Sequence, residues 1–390
     1  MRWMLMIVLV AACMVMAVCS YAEVDITPII GYVLTAPRVA EMSDGKYCVN
    51  YELVIANATK SDFSLEEIRV VDPARSDAVV KTLKADEITR QIYIPGIDKP
   101  ASKIPSGKSG YIRIDLTFDS KDAVPEEVEH IITASADTPI PMLPQPAIGR
   151  IGRSKVSSGP AVVIGPPLKG AKWVACVVGA GGYHRKTVMP IGGTWVAPER
   201  WAVDWIQLDE ENKPLAGAIE KNESYPQYGK EIIAVTDGVI ESVRDDMPDI
   251  PAGKAPVLKS LDDAVGDSII QDIGGRFYAL YAHLKPGSLK VKKGDTVKKG
   301  QVIALLGNSG NTTGPHLHFH IIHGKSPLGS DGVPYVIDSF KVRGTALSKD
   351  GLQTELERGE VVTVKVAKDD GPRSMKMPSD LSVVDFNREL

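Results

Sequence analysis

From Val24 to about Ala136 the chain alternates short runs of β-branched and aromatic residues with turn clusters. Tyr47-Cys48-Val49-Asn50-Tyr51-Glu52-Leu53-Val54-Ile55 is followed by the polar Asn57-Ala58-Thr59-Lys60-Ser61-Asp62. Later, Tyr111 to Phe118 places Ile112, Ile114, Leu116 and Phe118 on one face of a strand. No long amphipathic helical pattern interrupts this text, so residues 23–137 are expected to form an immunoglobulin-like β-sandwich. Its one histidine, His130, reads as an isolated surface or strand-end residue and not as a ligand.

Between Thr138 and Gly170 come Pro139, Pro141, Pro144, Pro146, Pro160, Pro166 and Pro167, a composition that stiffens a chain and interrupts β-ladders; residues 138–169 therefore read as a linker. Strand-like runs resume at Glu231–Val235, Arg276–Ala282 and Gln301–Leu306, punctuated by Asp237-Gly238, Gly294-Asp295 and Lys299-Gly300. A second all-β domain with long loops is expected over 170–345. The remaining 346–390 reads as an extension with one possible strand at Val361–Val366 and a polar tail.

Length and charge narrow the function classes. The chain has 390 residues, with 45 Lys and Arg against 49 Asp and Glu, so no basic excess draws it to phosphate backbones. Nucleic acid is not an expected partner. At the N-terminus, Arg2 precedes an uncharged apolar stretch from Trp3 to Val18 and then Ser20-Tyr21-Ala22, which predicts export with cleavage after Ala22 and a leader of 1–22. Membrane attachment is expected only if that leader is retained or lipidated at Cys13. Cys48 and Cys176 remain in the mature chain, either paired or as two small buried side chains.

The chemistry concentrates late. Four of the seven His lie in Gly314-Pro315-His316-Leu317-His318-Phe319-His320-Ile321-Ile322-His323. As a strand, this run places His316, His318 and His320 on one face and Leu317, Phe319 and Ile321 on the other, an imidazole side for a cleft and an apolar side for a core. A helix would instead align His316, His320 and His323, but Gly310, Gly314 and the β-branched residues disfavour it. Neighbouring neutral imidazoles suit a borderline-soft dication, above all Zn²⁺. A second segment, Pro198-Glu199-Arg200-Trp201-Ala202-Val203-Asp204-Trp205-Ile206, would put Arg200, Ala202 and Asp204 on one strand face. A carboxylate among such apolar neighbours must be paired, here with Arg200, or metal-bound. His283, in Tyr281-Ala282-His283-Leu284, ends an alternating strand.

Together, Tyr228-Gly229-Lys230, Ala234-Val235-Thr236-Asp237-Gly238, Leu280-Tyr281-Ala282-His283-Leu284, Val291-Lys292-Lys293-Gly294-Asp295-Thr296-Val297 and Gly307-Asn308-Ser309-Gly310 leading to His316-Leu317-His318-Phe319 resemble the lysostaphin-type (LytM-like) zinc metallopeptidases. The resemblance covers about Gly170 to Phe340. It implies a β-sheet groove holding one Zn²⁺ and hydrolysing peptide bonds of bacterial peptidoglycan. It further implies Asp204 and His318 as ligands, with His316 and His283 as the catalytic pair. Tyr183, Trp205 and Tyr281 would line the groove or fill the core.

One position departs from that pattern. The family motif H-x-x-x-D requires His four residues before Asp204, where this chain has Arg200, a side chain with no lone pair for a metal. Two replacements are visible: His184, in Gly181-Gly182-Tyr183-His184-Arg185-Lys186, and His320. His184 is favoured, because same-face residues on one strand lie about 7 Å apart and three of them rarely converge on one ion. If Arg200 instead neutralises Asp204, the domain is a degenerate one that binds wall peptide or regulates a wall hydrolase without cutting. A third reading, a carrier or sugar-binding β domain, rests on the Val-Lys-Lys-Gly-Asp hairpin alone.

Overall fold

The computed structural model describes residues 26–157, 159, 161–179, 182–347, 359–369 and 371–386. The expected leader 1–22, with Cys13 and Cys19, lies outside the described residues. Strands dominate, and the one α-helix among the described residues is the short Ala85–Gln91. No helix among them is long and apolar enough to cross a membrane.

The N-terminal unit is built from two antiparallel sheets. One runs Ile29–Val33, Tyr47–Asn57, Ser109–Phe118, Ile92–Tyr93, with Val39–Glu41 beside Tyr47–Asn57. The other runs Ala147–Lys155, Glu127–Ala136, Phe63–Asp72, Ala78–Lys84, with Lys103–Ile104 on Phe63–Asp72. Both sheets turn one face to a shared apolar core: Val49, Tyr51, Leu53, Ile55, Ile112, Ile114 and Leu116 from the first meet Leu65, Ile68, Val70, Val128 and Ile132 from the second. The alternation that put Ile112, Ile114 and Leu116 on one face is the pleat itself.

Three expectations change here. Residues 138–169 are not a bare linker: Ala147–Lys155 pairs along Glu127–Ala136, and Val162–Ile164 pairs in parallel with Tyr335–Leu347 of the second unit. The prolines cluster on either side of Ala147–Lys155, leaving its N–H groups free for a ladder. Residues 346–390 are not an appendage either: Ser382–Phe386 lies between Tyr335–Leu347 and Gly170–Cys176, with Val384 and Phe386 in the main core. His130 is fully buried within Glu127–Ala136, not at a surface or strand end, and its Nε2 meets Tyr51 Oη at 2.9 Å.

The C-terminal unit centres on a large mixed sheet. Its middle strands are Gly170–Cys176, Val203–Gln207, Leu317–Ile322, Tyr278–Ala282 and Ser268–Asp272, paired in that order. Trp205, Leu317, Phe319, Ile321 and Tyr281 face one apolar cluster, so Trp205 and Tyr281 serve the core and do not line a groove. The opposite face is where the polar side chains collect. Cys48 and Cys176 are unpaired thiols.

The two units meet across the outer face of Tyr47–Asn57 and Ser109–Phe118. Val54 and Tyr111 pack there against Val188 and Ala197 of the C-terminal unit, and Thr35 Oγ1 donates to Asp331 Oδ2 at 2.6 Å. Between these contacts lies a buried set of charges. Arg185 donates to both Glu52 and Asp115, and Arg200 donates to Glu52.

Candidate metal centre

Strand register assembles the site. Asp204 pairs opposite His318, and His318 pairs opposite Ala282, so residues from three adjacent strands stand side by side on one face. His283 follows Ala282 directly. The backbone turns there into the left-handed region (φ 62°), a conformation a non-glycine residue holds only when its surroundings fix it. Here the His283 N–H donates to Val265 O at 3.1 Å, and its carbonyl accepts from Gly307 N–H at 3.1 Å. Gly266 lets Ser309 approach this corner: its φ is +62°, and a Cβ at that position would stand 2.3 Å from Ser309 O.

The fourth histidine arrives from outside the sheet. His184 sits in the short 3₁₀ turn Tyr183–Lys186, and its Nε2 lies 3.4 Å from Asp204 Oδ2. Tyr183, whose ring is largely exposed, donates its hydroxyl to the same Oδ2 at 2.7 Å. On the other carboxylate oxygen, His318 Nδ1 lies at 2.9 Å and His316 Nε2 at 3.5 Å from Oδ1. Asp204 is thus a buried carboxylate ringed by three imidazoles and a phenol.

Electrostatics follow from that ring. Burial alone would raise the Asp204 carboxyl, but the charge of His184, with hydrogen bonds from His184 and His318, reverses this and holds it well below the usual range. Burial opposes charge on His184, yet Asp204 draws its pKa up to about 9. His283 and His316 are both lowered, first by burial, so both are neutral. Their tautomers are fixed by carbonyls, which only accept: His283 Nδ1 donates to Ser309 O at 2.7 Å and His316 Nδ1 to Gly314 O at 2.9 Å. Each is left with a free lone pair on Nε2.

Two donor sets share His318: His184, Asp204 and His318, and His283, His316 and His318, with ligand atoms in each set within 4.8 Å of one another. The first, two imidazoles and a carboxylate, matches the N/O chemistry of a zinc site with an open position. The residues present therefore fit the metal.

Two expected participants stand elsewhere. Arg200 belongs to a turn before Val203–Gln207, so it does not share a strand face with Asp204; its Nε donates to Glu52 Oε2 at 3.1 Å and its Nη1 to Gly332 O at 3.3 Å. His320 is buried beside His318, with ring centroids 5.0 Å apart, but it lies outside both donor sets and neither ring nitrogen has a hydrogen-bond partner. Tyr183, expected to line a groove or fill the core, stands exposed beside Asp204, whereas the contact of Glu52 with Arg200 had no signal in the sequence, since it becomes meaningful only through folding.

The sequence profile described as peptidase family M23 matches residues 224–330. An uncharacterized metalloprotease of Haemophilus influenzae is 36% identical over 113 residues, covering 28% of this chain and 20% of that protein. The peptidoglycan DD-endopeptidase ShyA of Vibrio cholerae is 38% identical over 65 residues, covering 17% and 15%. The chain thus spans a fifth or less of the length of these two relatives. Among solved structures, the catalytic domain of lysostaphin from Staphylococcus simulans aligns over 42% of this chain and 88% of its own, with 20% identity and a TM-score of 0.23. Asp204 and His184 precede the matched region, whereas His283, His316 and His318 fall inside it, so three of the five side chains gathered here lie in the part of the chain that matches peptidase family M23.

Proposed function

We propose that the protein is an exported zinc endopeptidase that hydrolyses peptide cross-links of bacterial peptidoglycan. The observation that carries this reading is the convergence of His184, Asp204 and His318 beside two neutral, tautomer-fixed imidazoles, His283 and His316. The similarity to ShyA, named a peptidoglycan DD-endopeptidase, supports the substrate class.

His184, Asp204 and His318 would hold the ion. Zinc bound there supplies Lewis acidity toward water and toward the scissile carbonyl. The Nε2 lone pair of His316, facing the Asp204 carboxylate from 3.5 Å, accepts the proton of the attacking water. The His316 imidazolium formed in this way returns that proton to the leaving amine, while His283, its ring held by Ser309 O, keeps its Nε2 free to accept a hydrogen bond from the water or the substrate. Tyr183 stands at the exposed edge, where its phenol donates to Asp204 Oδ2 and steadies that carboxylate.

The non-catalytic reading drew its force from an Arg200 that neutralises Asp204. The pairing of Arg200 with Glu52 supports hydrolysis instead. Export through the leader at 1–22 and an immunoglobulin-like identity for the N-terminal sandwich are parts of the same proposal. The test is turnover of a cross-linked muropeptide by the zinc-loaded protein and by His316→Ala. Loss of turnover in the variant with zinc retained is expected; equal turnover in both would refute the role of His316, and no turnover in the zinc-loaded parent would refute hydrolysis.

A further inference from the structure

We propose that Glu52 of the N-terminal sandwich is a positioning residue for the metal centre, fixing through Arg185 and Arg200 the two segments that bring His184 and Asp204 together. The inference rests on the ligand set proposed above.

His184 is the ligand that the sheet does not hold. Its turn is four residues long, and two of its backbone bonds are local, from Arg185 N–H to Gly182 O at 3.3 Å and from Thr187 N–H to His184 O at 3.0 Å. In a 3₁₀ turn, with three residues per revolution, successive side chains diverge by about 120°. His184 therefore points to Asp204 while its neighbour Arg185 points the other way, into the interface. The Arg185 guanidinium is 2% exposed, and the acceptors it reaches all belong to the N-terminal unit: Glu52, Asp115 Oδ1 at 2.8 Å and Tyr51 O at 3.2 Å.

The same carboxylate serves the second segment. Glu52, fully buried, takes Arg185 on Oε1, and the guanidinium of Arg200 reaches both of its oxygens. Arg200 stands in the turn that leads into Val203–Gln207, four residues before Asp204. One acidic side chain thus fastens the residue next to one ligand and the turn before another. The charges balance, with Glu52 and Asp115 facing Arg185 and Arg200, so each buried ion has a partner. Glu52 can do this because strand alternation turns it away from Tyr51 and Leu53, which face the sandwich core. The substitution of Arg for the motif His is then one half of an exchange: the position ceases to bind metal and instead anchors the unit whose docking holds His184 in place.

The test uses the full chain and three variants. Glu52→Gln keeps the shape and removes the charge; Asp115→Asn weakens the hold on Arg185 while leaving Glu52 and Arg200 paired; Thr35→Val removes only the Thr35–Asp331 bond of the same interface. Zinc affinity is read by competition with a chromogenic chelator, and amide hydrogen exchange of residues 182–187 is read in metal-free protein. Glu52→Gln is expected to weaken zinc binding about 10- to 100-fold, as loss of a supporting contact does, and to speed exchange of the turn while that of Leu317–Ile322 is unchanged. Asp115→Asn should do the same to a smaller degree, and Thr35→Val should match the parent. Parental zinc affinity and turn exchange in Glu52→Gln, or equal losses in Thr35→Val, would overturn the proposal. If Glu52→Gln does not fold, Asp115→Asn decides by the same two readings. Should the parent bind no zinc, the ligand assignment fails, and turn exchange still decides whether Glu52 positions His184.

Discussion

Arg200 Nε donates to Glu52 Oε2 at 3.1 Å, across the boundary between the two units. In linear order Arg200 occupies the place where the lysostaphin-type motif requires a histidine, and on that ground it reads as a defect. In the folded chain it is directed away from Asp204, and His184 occupies the vacated side of the carboxylate. Under the ligand set proposed above, what the motif loses at one position is supplied from sixteen residues upstream.

That exchange makes a direct prediction for Arg200→His. Restoring the motif leaves Glu52 buried with one of its two guanidinium partners gone, and breaking a buried pair costs about 3–5 kcal/mol. Urea unfolding should show a loss of that size, and chelator competition should show no gain in zinc affinity. A tighter metal site in the variant would mean that position 200 still faces Asp204.

Removal of a ligand acts differently. His318 belongs to both donor sets, so His318→Ala should weaken zinc binding by more than about 100-fold, beyond the range for outer supporting residues. Metal content of the purified variant, measured by plasma emission, checks this. Stoichiometric zinc in the variant would contradict the assignment.

Zinc affinity should also depend steeply on pH. In metal-free protein, Asp204 raises the His184 pKa to about 9, so below pH 9 the ion must displace a proton before that nitrogen can bind it. Apparent affinity is expected to drop by up to about tenfold per pH unit between pH 8 and 6. A flat profile over this window would remove His184 from the ligand set.

A separate pH effect belongs to the sandwich. Burial lowers the His130 pKa to about 4 from the ordinary 6.5, so the native state holds this ring neutral while the unfolded chain takes up a proton below 6.5. The contribution to stability is complete above pH 6.5 and is lost as pH falls through 4, amounting to about 3 kcal/mol by pH 4 at 1.36 kcal/mol per unit. Comparison of urea unfolding at pH 7 and pH 4 should show a smaller acid loss, by about that amount, in His130→Gln. Equal losses in parent and variant would show that His130 is charged in the native state.

Hydrolysis itself should separate the two imidazoles from the ligands. His316→Ala and His283→Ala are each expected to lower kcat, the former by about 10²–10⁴-fold, the usual worth of a positioned proton-transfer group, while metal content is unchanged. Loss of zinc alongside activity would instead place the ion in the His283, His316 and His318 set.

The linear order of residues was sufficient for whatever obeys a short period. Alternation in Leu317–Ile322 separates Leu317, Phe319 and Ile321 from His318 and His320, because successive side chains in a strand take opposite faces. The same rule exposed the cores of both units and the pairing of glycine turns with strands. Proline density, by contrast, hid the strand Ala147–Lys155, and the polar composition of 346–390 hid Ser382–Phe386, since each becomes a strand only when partners elsewhere in the chain accept its hydrogen bonds. His184 was already a candidate in the sequence, but its contact with Asp204, the destination of Arg200 and the existence of Glu52 as a participant were decided by tertiary structure alone. Each depends on a distance between residues that no local periodicity relates, and a buried charge finds its partner in space, not in sequence.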